Sequence, residues 1–168
     1  DFLTKISASA ISEFIEINSS LQDGNHIIYE DINIGIATSV NDGLIVPTIF
    51  NANKKGILEI AKNRAELVEK GRNGKLSLEE ISNGTFTISN LGMYGVRSFT
   101  AIINPPQAAI LMVSEMYDSP VAINGKVEIK TLMEVGVGVD HRIIDGALAA
   151  KFLARVKEYI ENPELLIL

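Results

Sequence analysis

The stretch MEVGVGVDHRIIDGALAAKFLARVKEYIEN, residues 133–162, predicts a strand, a short turn and a helix in direct succession. Valines alternate with glycines up to Val139, which is the period of a β-strand, and apolar side chains recur at helical spacing after position 146. Asp145 stands where the helix begins, so we expect its carboxylate to cap the helix N-terminus. His141 lies between the strand end and this cap.

His141 is the candidate base of this stretch. The imidazole titrates near neutral pH, so a neutral histidine is the best side-chain base available for a thiol. A histidine held between a strand end and a capped helix can be fixed in one orientation. A surface histidine beside a helix cap would have the same spacing, and the spacing alone leaves both interpretations open.

Upstream of this stretch, helical and strand-like patterns follow one another without strict alternation. Helical periodicity covers residues 1–16 and 56–72, and the inward face of the second helix includes Ile60, Ala65 and Leu67. The strand-like runs are 26–30, 32–40, 44–50, 85–90, 108–113, 121–123, 127–129 and 133–139. This order predicts a two-layer α+β sandwich, with a mixed, mostly antiparallel sheet and helices on one face.

Local signals mark several element ends. Asn41-Asp42-Gly43 and Asn124-Gly125 have the sequences of tight hairpin turns. Pro47 indicates an edge position or a bend in its strand. Ser77-Leu78-Glu79-Glu80 has the sequence of a capping box at the start of a short helix, whereas Asn18-Ser19-Ser20 reads as the end of the first helix.

Thr85, Thr87 and Ser89 share one face of the predicted strand 85–90. A hydroxyl at a strand end can donate a hydrogen bond to an oxyanion, which makes Ser89 a candidate for that function. The alternative is a solvated strand face, because Ser and Thr are mostly exposed in folded proteins.

Composition narrows the function classes. The 168 residues fit one domain, and the net charge of −6, without a Lys/Arg cluster, argues against nucleic-acid binding. There is no cysteine, which excludes a Cys-based zinc site and means that thiol chemistry would use thiols of the substrates. His26 and His141 are the two histidines, so a His-rich metal site is not expected. The apolar runs are shorter than the roughly 20 residues that span a bilayer.

Four segments resemble one protein family, in the same order along the chain. His141–Gly146 resembles the HxxxDG motif of the dihydrolipoamide acyltransferases, the core subunits of 2-oxo-acid dehydrogenase complexes; chloramphenicol acetyltransferase shares this motif and its fold. Residues 42–47 (DGLIVP), 84–95 (GTFTISNLGMYG) and 102–111 (IINPPQAAIL) resemble three further segments of the family. The resemblance covers nearly the whole chain and is greatest to the acetyltransferases of pyruvate or acetoin complexes.

The resemblance implies an enzyme that transfers an acyl group between dihydrolipoamide and coenzyme A. The family's catalytic histidine falls on His141, its oxyanion-stabilising hydroxyl on Ser89, and its motif aspartate, with a mainly structural role, on Asp145. Succinyltransferases tend to carry Thr at position 89, so the resemblance implies an acetyl group. Coenzyme A would be a substrate, the lipoyl group would arrive on a separate domain absent from this chain, and no metal is implied. One departure is Gly138, where many relatives carry a hydroxyl residue.

The resemblance also implies an assembly. In the family each active site lies between two subunits of a trimer, so His141 and Ser89 would come from different chains, and trimers pack into a cubic or dodecahedral core. The implied partners are a lipoyl domain and the decarboxylase and dihydrolipoamide dehydrogenase subunits, with neither nucleic acid nor membrane. Residues 1–168 would be the catalytic domain without its N-terminal part, with no lipoyl or peripheral-subunit-binding domain. The expected location is the bacterial cytoplasm, or the mitochondrial matrix of a eukaryote.

Three other functions fit part of the pattern. The chain could be mainly an oligomeric scaffold core with little activity of its own. It could be a chloramphenicol-type O-acetyltransferase, which would use a hydroxyl acceptor and need no lipoyl domain. A serine hydrolase built on Ser89, His141 and Asp145 is the least favoured, because the GxSxG segment of such enzymes is missing.

Overall fold

The computed structural model describes residues 1–40 and 43–166. The α-helices of this part are α1 (Phe2–Glu13), α2 (Ile57–Arg72), α3 (Leu78–Ser82) and α4 (Gly146–Glu161). The strands are β1 (Ser19–Gln22), β2 (Asn25–Ile28), β3 (Ile34–Ile36), β4 (Thr38–Val40), β5 (Gly43–Ile45), β6 (Thr48–Ile49), β7 (Phe86–Asn90), β8 (Ala109–Ile123) and β9 (Lys126–Val139). None of the helices described here is long and apolar enough to cross a membrane.

Five of the strands form a central sheet in the order β6-β3-β7-β8-β9. The inner strands β3, β7 and β8 run parallel, whereas β6 and β9 pair antiparallel at the two edges. Two small antiparallel ribbons, β1–β2 and β4–β5, complete the described strands. The central sheet is therefore mixed, with two parallel and two antiparallel pairs, and with the two ribbons the antiparallel pairs are the majority among the described strands, as the sequence predicts.

The helices α1 and α4 enclose the core against the sheet face that carries Phe86. Phe152 of α4 is fully buried, and its ring centroid lies 5.8 Å from that of Phe86 and 6.5 Å from that of Phe14, both in edge-to-face orientation. Ile6 and Ile11 of α1 are also fully buried. Edge-to-face rings add about 0.5–1.5 kcal/mol to the burial of apolar area, and this contact positions α4 over the sheet. The predicted α+β class is confirmed.

The strongest local signals of the sequence correspond to structure. Ser77 Oγ accepts a hydrogen bond from the Glu80 N–H at 3.2 Å, and Glu80 Oε2 accepts one from the Ser77 N–H at 2.8 Å, which is a complete capping box. Asn124 and Gly125, with φ of 50° and 76°, form the two-residue turn between β8 and β9. Pro47 lies just before the edge strand β6. Residues 41 and 42 of the predicted Asn41-Asp42-Gly43 turn lie outside the described residues.

The solvated strand face considered for Thr85 and Thr87 is wrong. Their residues are 5% and 1% exposed, on the side of the sheet opposite Phe86. Thr85 Oγ1 accepts a hydrogen bond from the Asn33 N–H at 3.0 Å, and Thr87 Oγ1 donates one to Gln107 Oε1 at 2.6 Å. These partners come from distant parts of the chain and satisfy hydroxyls that would otherwise need water.

Three other predictions of detail are wrong. Residues 19–22 form strand β1 instead of ending a helix, and the fully buried Ser20 bonds through Oγ to the Tyr29 hydroxyl at 2.8 Å. The predicted strands 108–113 and 121–123 are parts of one long strand, β8, interrupted by a bulge after Val113. On α2, Ile60 and Leu67 are buried as expected, whereas Ala65 is exposed.

Candidate active site

His141 lies in a tight turn directly after β9. The Asp140 N–H donates to the Ala108 carbonyl at 2.7 Å, so the β8–β9 pairing continues one residue beyond Val139. The Asp140 carbonyl then accepts hydrogen bonds from the N–H groups of Ile143 and Ile144, at 3.1 and 3.0 Å, and Ile144 is fully buried. The His141 side chain is exposed and has no hydrogen-bond partner among residues 1–40 and 43–166.

Asp145 caps helix α4, as the sequence predicts. Its Oδ1 accepts a hydrogen bond from the Leu148 N–H at 2.8 Å, and its backbone is extended. The cap fixes the start of α4, whose Phe152 and Val156 are fully buried two and three turns later. Because the turn of His141 ends at this cap, the position of the helix also determines where the turn lies.

An ion pair on either side of His141 has no counterpart in our interpretation of the sequence. The Arg142 guanidinium donates from Nε to Asp140 Oδ1 at 2.9 Å and from Nη2 to Oδ2 at 2.6 Å, and the Arg142 backbone N–H also donates to Oδ1 at 3.1 Å. The hydrogen bonds from Arg142 lower the pKa of Asp140. The only sequence signal for this pair is an acid and a base two residues apart.

Ser89 lies near the carboxyl end of β7 and is half-buried. Two hydrogen bonds fix the chain that follows it: the Leu91 N–H donates to the Val113 carbonyl at 3.0 Å, and the Gly92 N–H to Asn90 Oδ1 at 2.9 Å. A Cβ atom on Gly92 would lie 2.6 Å from the Ser114 carbonyl oxygen, closer than any real contact. Glycine at this position therefore lets the loop after Ser89 lie directly against β8.

A buried hydrogen bond connects β7, two residues before Ser89, to a distant loop. Gln107 is 6% exposed, and its Oε1 accepts the hydrogen bond of the Thr87 hydroxyl. A Cβ on Gly84 would lie 2.9 Å from Gln107 Nε2 and 3.1 Å from Thr48 Oγ1. The glycine that opens the 84–95 segment and the glutamine of the 102–111 segment thus fit against each other, which explains why both segments carry these residues.

Ser89 and His141 do not meet within one chain. Ser89 is opposite Met112 of β8, whereas Asp140, next to His141, bonds to Ala108. Four residues of β8 and two strand spacings separate Ser89 from Asp140, which is on the order of 16 Å. The two residues therefore lie towards opposite ends of the sheet's strands, Ser89 near the end of β7 and His141 beside the start of β8, and a site that uses both needs a second copy of the chain.

An open cavity of about 670 Å³ lies at the end of the sheet where β7 and β8 begin, which is also the end at which His141 lies. Gly84, Thr85 and Pro106 are among the residues that line it, with Asn33 and Asn83 among the polar ones. Neither Ser89 nor His141 lines it. Among the described residues, no group of three or more His, Cys, Asp or Glu side chains could hold a metal ion.

Comparison with protein families identifies the chain. The model of the family described as 2-oxoacid dehydrogenases acyltransferase (catalytic domain) matches residues 1–168. The chain belongs to this family. The four sequence segments that resemble the dihydrolipoamide acyltransferases are therefore features of an acyltransferase catalytic domain, and the recognition from sequence is confirmed.

Curated relatives of this acyltransferase chain carry two acyl specificities. It is 40% identical, over its whole length, to the dihydrolipoyllysine-residue acetyltransferase component of the pyruvate dehydrogenase complex of Rickettsia felis. It is 42% identical, over 99% of its length, to the succinyltransferase component of the 2-oxoglutarate dehydrogenase complex of the same organism. The chain spans 41% and 42% of the length of these two relatives.

Solved structures of acyltransferases have the same fold. The dihydrolipoamide acetyltransferase of Azotobacter vinelandii is 37% identical with a TM-score of 0.94, and the match covers 99% of this chain and 69% of that one. The catalytic mechanism of that enzyme has been investigated at a serine, at a histidine 52 residues later and at an asparagine four residues after the histidine. The cubic core of a pyruvate dehydrogenase complex matches with a TM-score of 0.93 at 37% identity, covering 99% of this chain and 69% of that one. A chloramphenicol acetyltransferase shares the fold alone. It is 15% identical with a TM-score of 0.57, and the match covers 94% of this chain and 76% of that one.

Proposed function

We propose that this acyltransferase chain moves an acyl group between dihydrolipoamide and coenzyme A, at sites formed between adjacent subunits. The observation that carries the proposal is the placement of Ser89 and His141 towards opposite ends of one sheet's strands, with Ser89 on the order of 16 Å from Asp140, the residue before His141. A neighbouring chain whose Ser89 lies next to His141 of this chain would complete the pair. The names of the relatives supply the substrate class.

Spacing along the chain supports the assignment of the residues. Ser89, His141 and Asp145 have the same two spacings, 52 and four residues, as the serine, histidine and asparagine investigated in the Azotobacter enzyme. Asp145 stands at the spacing of that asparagine, and its Oδ1 accepts a hydrogen bond from the Leu148 N–H, for which an asparagine oxygen could also serve. We therefore propose His141 as the base, Ser89 as the oxyanion donor and Asp145 as a structural residue.

In the proposed reaction the imidazole of His141 accepts the S–H proton of the attacking thiol, while the sulfur bonds to the thioester carbonyl carbon. The carbonyl oxygen becomes an oxyanion, to which the Ser89 hydroxyl of the adjacent subunit donates a hydrogen bond. The C–S bond to the departing thiol then breaks, and the imidazolium returns its proton to that sulfur. Because residues 1–168 contain no cysteine, the acyl group passes directly between the two substrate thiols.

For the acyl group we propose acetyl. The identities to the acetyl- and succinyltransferase relatives are nearly equal, so overall similarity does not separate the two specificities. The serine at position 89, where succinyltransferases tend to carry threonine, favours acetyl. Transfer rates from acetyl-CoA and succinyl-CoA to dihydrolipoamide would decide this, and a faster succinyl transfer would contradict the proposal.

The proposed assembly is a homotrimer packed into a larger core, as the cubic core of the related complex supports. A lipoyl domain would deliver the acyl group, and the decarboxylase and dihydrolipoamide dehydrogenase of the complex would act before and after it. We propose the bacterial cytoplasm as the location, or the mitochondrial matrix for a eukaryotic source.

Subunit complementation tests the shared site. His141→Ala and Ser89→Ala subunits are each expected to be nearly inactive, but a mixed trimer contains one interface with both wild-type residues. Random reassembly of equal amounts should restore about a quarter of the wild-type activity for cyclic trimers. Two full-length variants that fail to complement after verified subunit exchange would place Ser89 and His141 in one chain or outside the mechanism.

A further inference from the structure

The imidazole of His141 has no side-chain contact that would orient it within the described chain. Its Nδ1 and Nε2 atoms have no hydrogen-bond partner among residues 1–40 and 43–166, and the side chain is exposed. Within the described chain, the place from which the ring can reach a thiol therefore depends on the backbone that carries its Cβ. A base that must reach a thiol within about 3 Å requires that backbone to be fixed, because a misplacement of about 1 Å can lower a rate by about 100-fold.

On the strand side of His141, Asp140 fixes the backbone through three of its groups, while the Asp145 cap holds the helix side. The Asp140 N–H extends the β8–β9 pairing to Ala108, and its carbonyl closes the turn on Ile143 and Ile144. Its carboxylate oxygen Oδ1 accepts the Arg142 N–H, so that a side chain on one side of His141 holds the peptide on the other side. The three groups of Asp140 thus bond in three directions around the histidine.

The guanidinium of Arg142 adds further bonds to the Asp140 carboxylate. The hydrogen bonds between the side chain of Asp140 and the backbone and side chain of Arg142 are called the clamp below. The guanidinium meets the Asp140 carboxylate as a fork, with contacts of 2.6 and 2.9 Å, while 71% of the Arg142 side chain is exposed. Only 19% of the Asp140 side chain is exposed, so the carboxylate has few other partners. Forked Arg–carboxylate pairs fix geometry as well as charge. The hydrogen bonds from Arg142 also lower the pKa of Asp140, because the fork favours the ionised carboxylate.

We propose that Asp140 and Arg142 are positioning residues for His141, holding the peptides on both sides of the base by a forked ion pair. This inference rests on the proposed function, in which His141 is the base. Neither residue touches the reacting atoms in this account. Their contribution is to the turnover rate through the orientation of the imidazole, and the affinity for coenzyme A should change little.

The test uses the full-length assembled protein, with acetyl-CoA and free dihydrolipoamide as substrates. Asp140→Ala removes all side-chain bonds of the clamp and should lower kcat between about tenfold and 100-fold while KM changes less than about twofold. Asp140→Asn keeps an oxygen for the Arg142 N–H and should retain more activity than Asp140→Ala. Arg142→Lys keeps the charge without the fork, and because Arg142 is exposed this change should not prevent folding.

A matched control is available on β9, the strand that precedes the turn. Glu128 and Lys130 form an ion pair with the same two-residue spacing at 3.1 Å, far along β9 from His141. Glu128→Ala removes the same charge and should leave kcat unchanged. An Asp140→Ala or Arg142→Lys variant with wild-type kcat, in an assembly where His141→Ala is inactive, would overturn the clamp and leave the base assignment standing.

A double variant separates the clamp from the base. If Asp140 acts only through the imidazole, Asp140→Ala should cause no further loss of the residual rate in the His141→Ala background. An additional tenfold loss there would mean that Asp140 acts by another route, which contradicts the proposal. Full activity of His141→Ala alone would instead refute the assignment of His141 as the base, on which the clamp depends.

Discussion

The Asp140 N–H lies 2.7 Å from the Ala108 carbonyl oxygen, so β9 keeps its pairing until the residue before His141. This hydrogen bond places the histidine at the end of the sheet where β7 and β8 begin. The turn that follows is closed by backbone hydrogen bonds and by the cap of α4. Substitutions of side chains in the turn can therefore be tested with little risk to the sheet.

His141→Ala is expected to abolish acyl transfer while the fold survives. General base catalysis contributes typically about 10²–10⁴-fold, so kcat should fall by at least about 100-fold, and the exposed side chain should leave the unfolding curve unchanged. His26→Ala is the matched control, since His26 is the other histidine of the sequence and is exposed on β2. Equal activity of the two variants in a coenzyme A-dependent assay would refute the base assignment.

Ser89→Ala is expected to lower kcat more than it raises KM. One oxyanion donor contributes about 10²–10³-fold to kcat, and the ground-state thioester gains little from it. Steady-state kinetics with varied acetyl-CoA measures both constants. Ser39→Ala, which removes an exposed hydroxyl of β4, serves as the control, and an unchanged kcat in Ser89→Ala would remove Ser89 from the mechanism.

Asp145→Ala is expected to lower the free energy of unfolding by about 1 kcal/mol, because the Leu148 N–H loses its cap. Asp145→Asn keeps an oxygen acceptor, and an asparagine stands at this spacing in the Azotobacter enzyme, so it should retain stability and activity. Ser77→Ala removes the cap of α3 at a similar cost and should not affect turnover. Denaturant unfolding and kcat together show whether Asp145 acts through the helix cap alone. A loss of activity in Asp145→Asn would indicate a role for the charge.

Gly92→Ala is expected to displace the loop after Ser89, because its Cβ would lie 2.6 Å from a backbone oxygen of β8. Overpacking of this kind costs about 1–3 kcal/mol of stability, and the shift should lower kcat about tenfold or more. Gly56→Ala meets no atom within 4 Å and should cost less than about 1 kcal/mol with unchanged activity. If both variants had the same kcat, the loop after Ser89 would not control its position.

The ionised Glu13 carboxylate is expected to stabilise the fold near neutral pH and to lose this effect in acid. Burial alone would raise the pKa of Glu13, but hydrogen bonds from Tyr159 and Arg155 outweigh it and lower the pKa below its ordinary value. A lowered pKa stabilises the fold above the unfolded value, about 4.3, and this contribution is lost as the pH falls through the folded value. Glu13→Gln should therefore be destabilised at pH 7 and approach the wild type in strong acid.

Denaturant unfolding from pH 7 downwards tests the Glu13 prediction. Glu161→Gln, which alters an exposed pair with Lys157 at 3.7 Å, should leave the unfolding curve unchanged throughout. A difference between Glu13→Gln and the wild type that is constant with pH would show that ionisation of Glu13 does not stabilise the contact between α1 and α4.

The sequence predicts those parts of the molecule that neighbouring residues determine. The cap by Asp145, the capping box at Ser77 and the turn at Asn124-Gly125 depend on residues two or three positions apart, and all three are present. The α+β class follows from the order of the periodic segments. The resemblance to a family, carried by four segments, adds the assignment of His141 and Ser89, which periodicity alone leaves open.

The sequence fails where distant parts of the chain decide the environment. Thr87 is buried because Gln107 reaches it from another loop, and Ser20 is buried because Tyr29 bonds to its hydroxyl. Polar residues with such partners look exposed in a sequence, since nothing nearby satisfies them. The fork between Asp140 and Arg142 was missed for a different reason: its two charges resemble ordinary surface residues until the turn brings them together.

The separation of Ser89 from Asp140 across the sheet also bears on what a single chain can do. In the proposed site each chain holds the base of one reaction centre and the oxyanion donor of another, so an isolated chain contains no complete centre. Turnover per subunit should then fall steeply on dilution below the dissociation constant of the trimer, and newly made subunits would not consume acetyl-CoA before they assemble. Activity would in this way report quaternary structure.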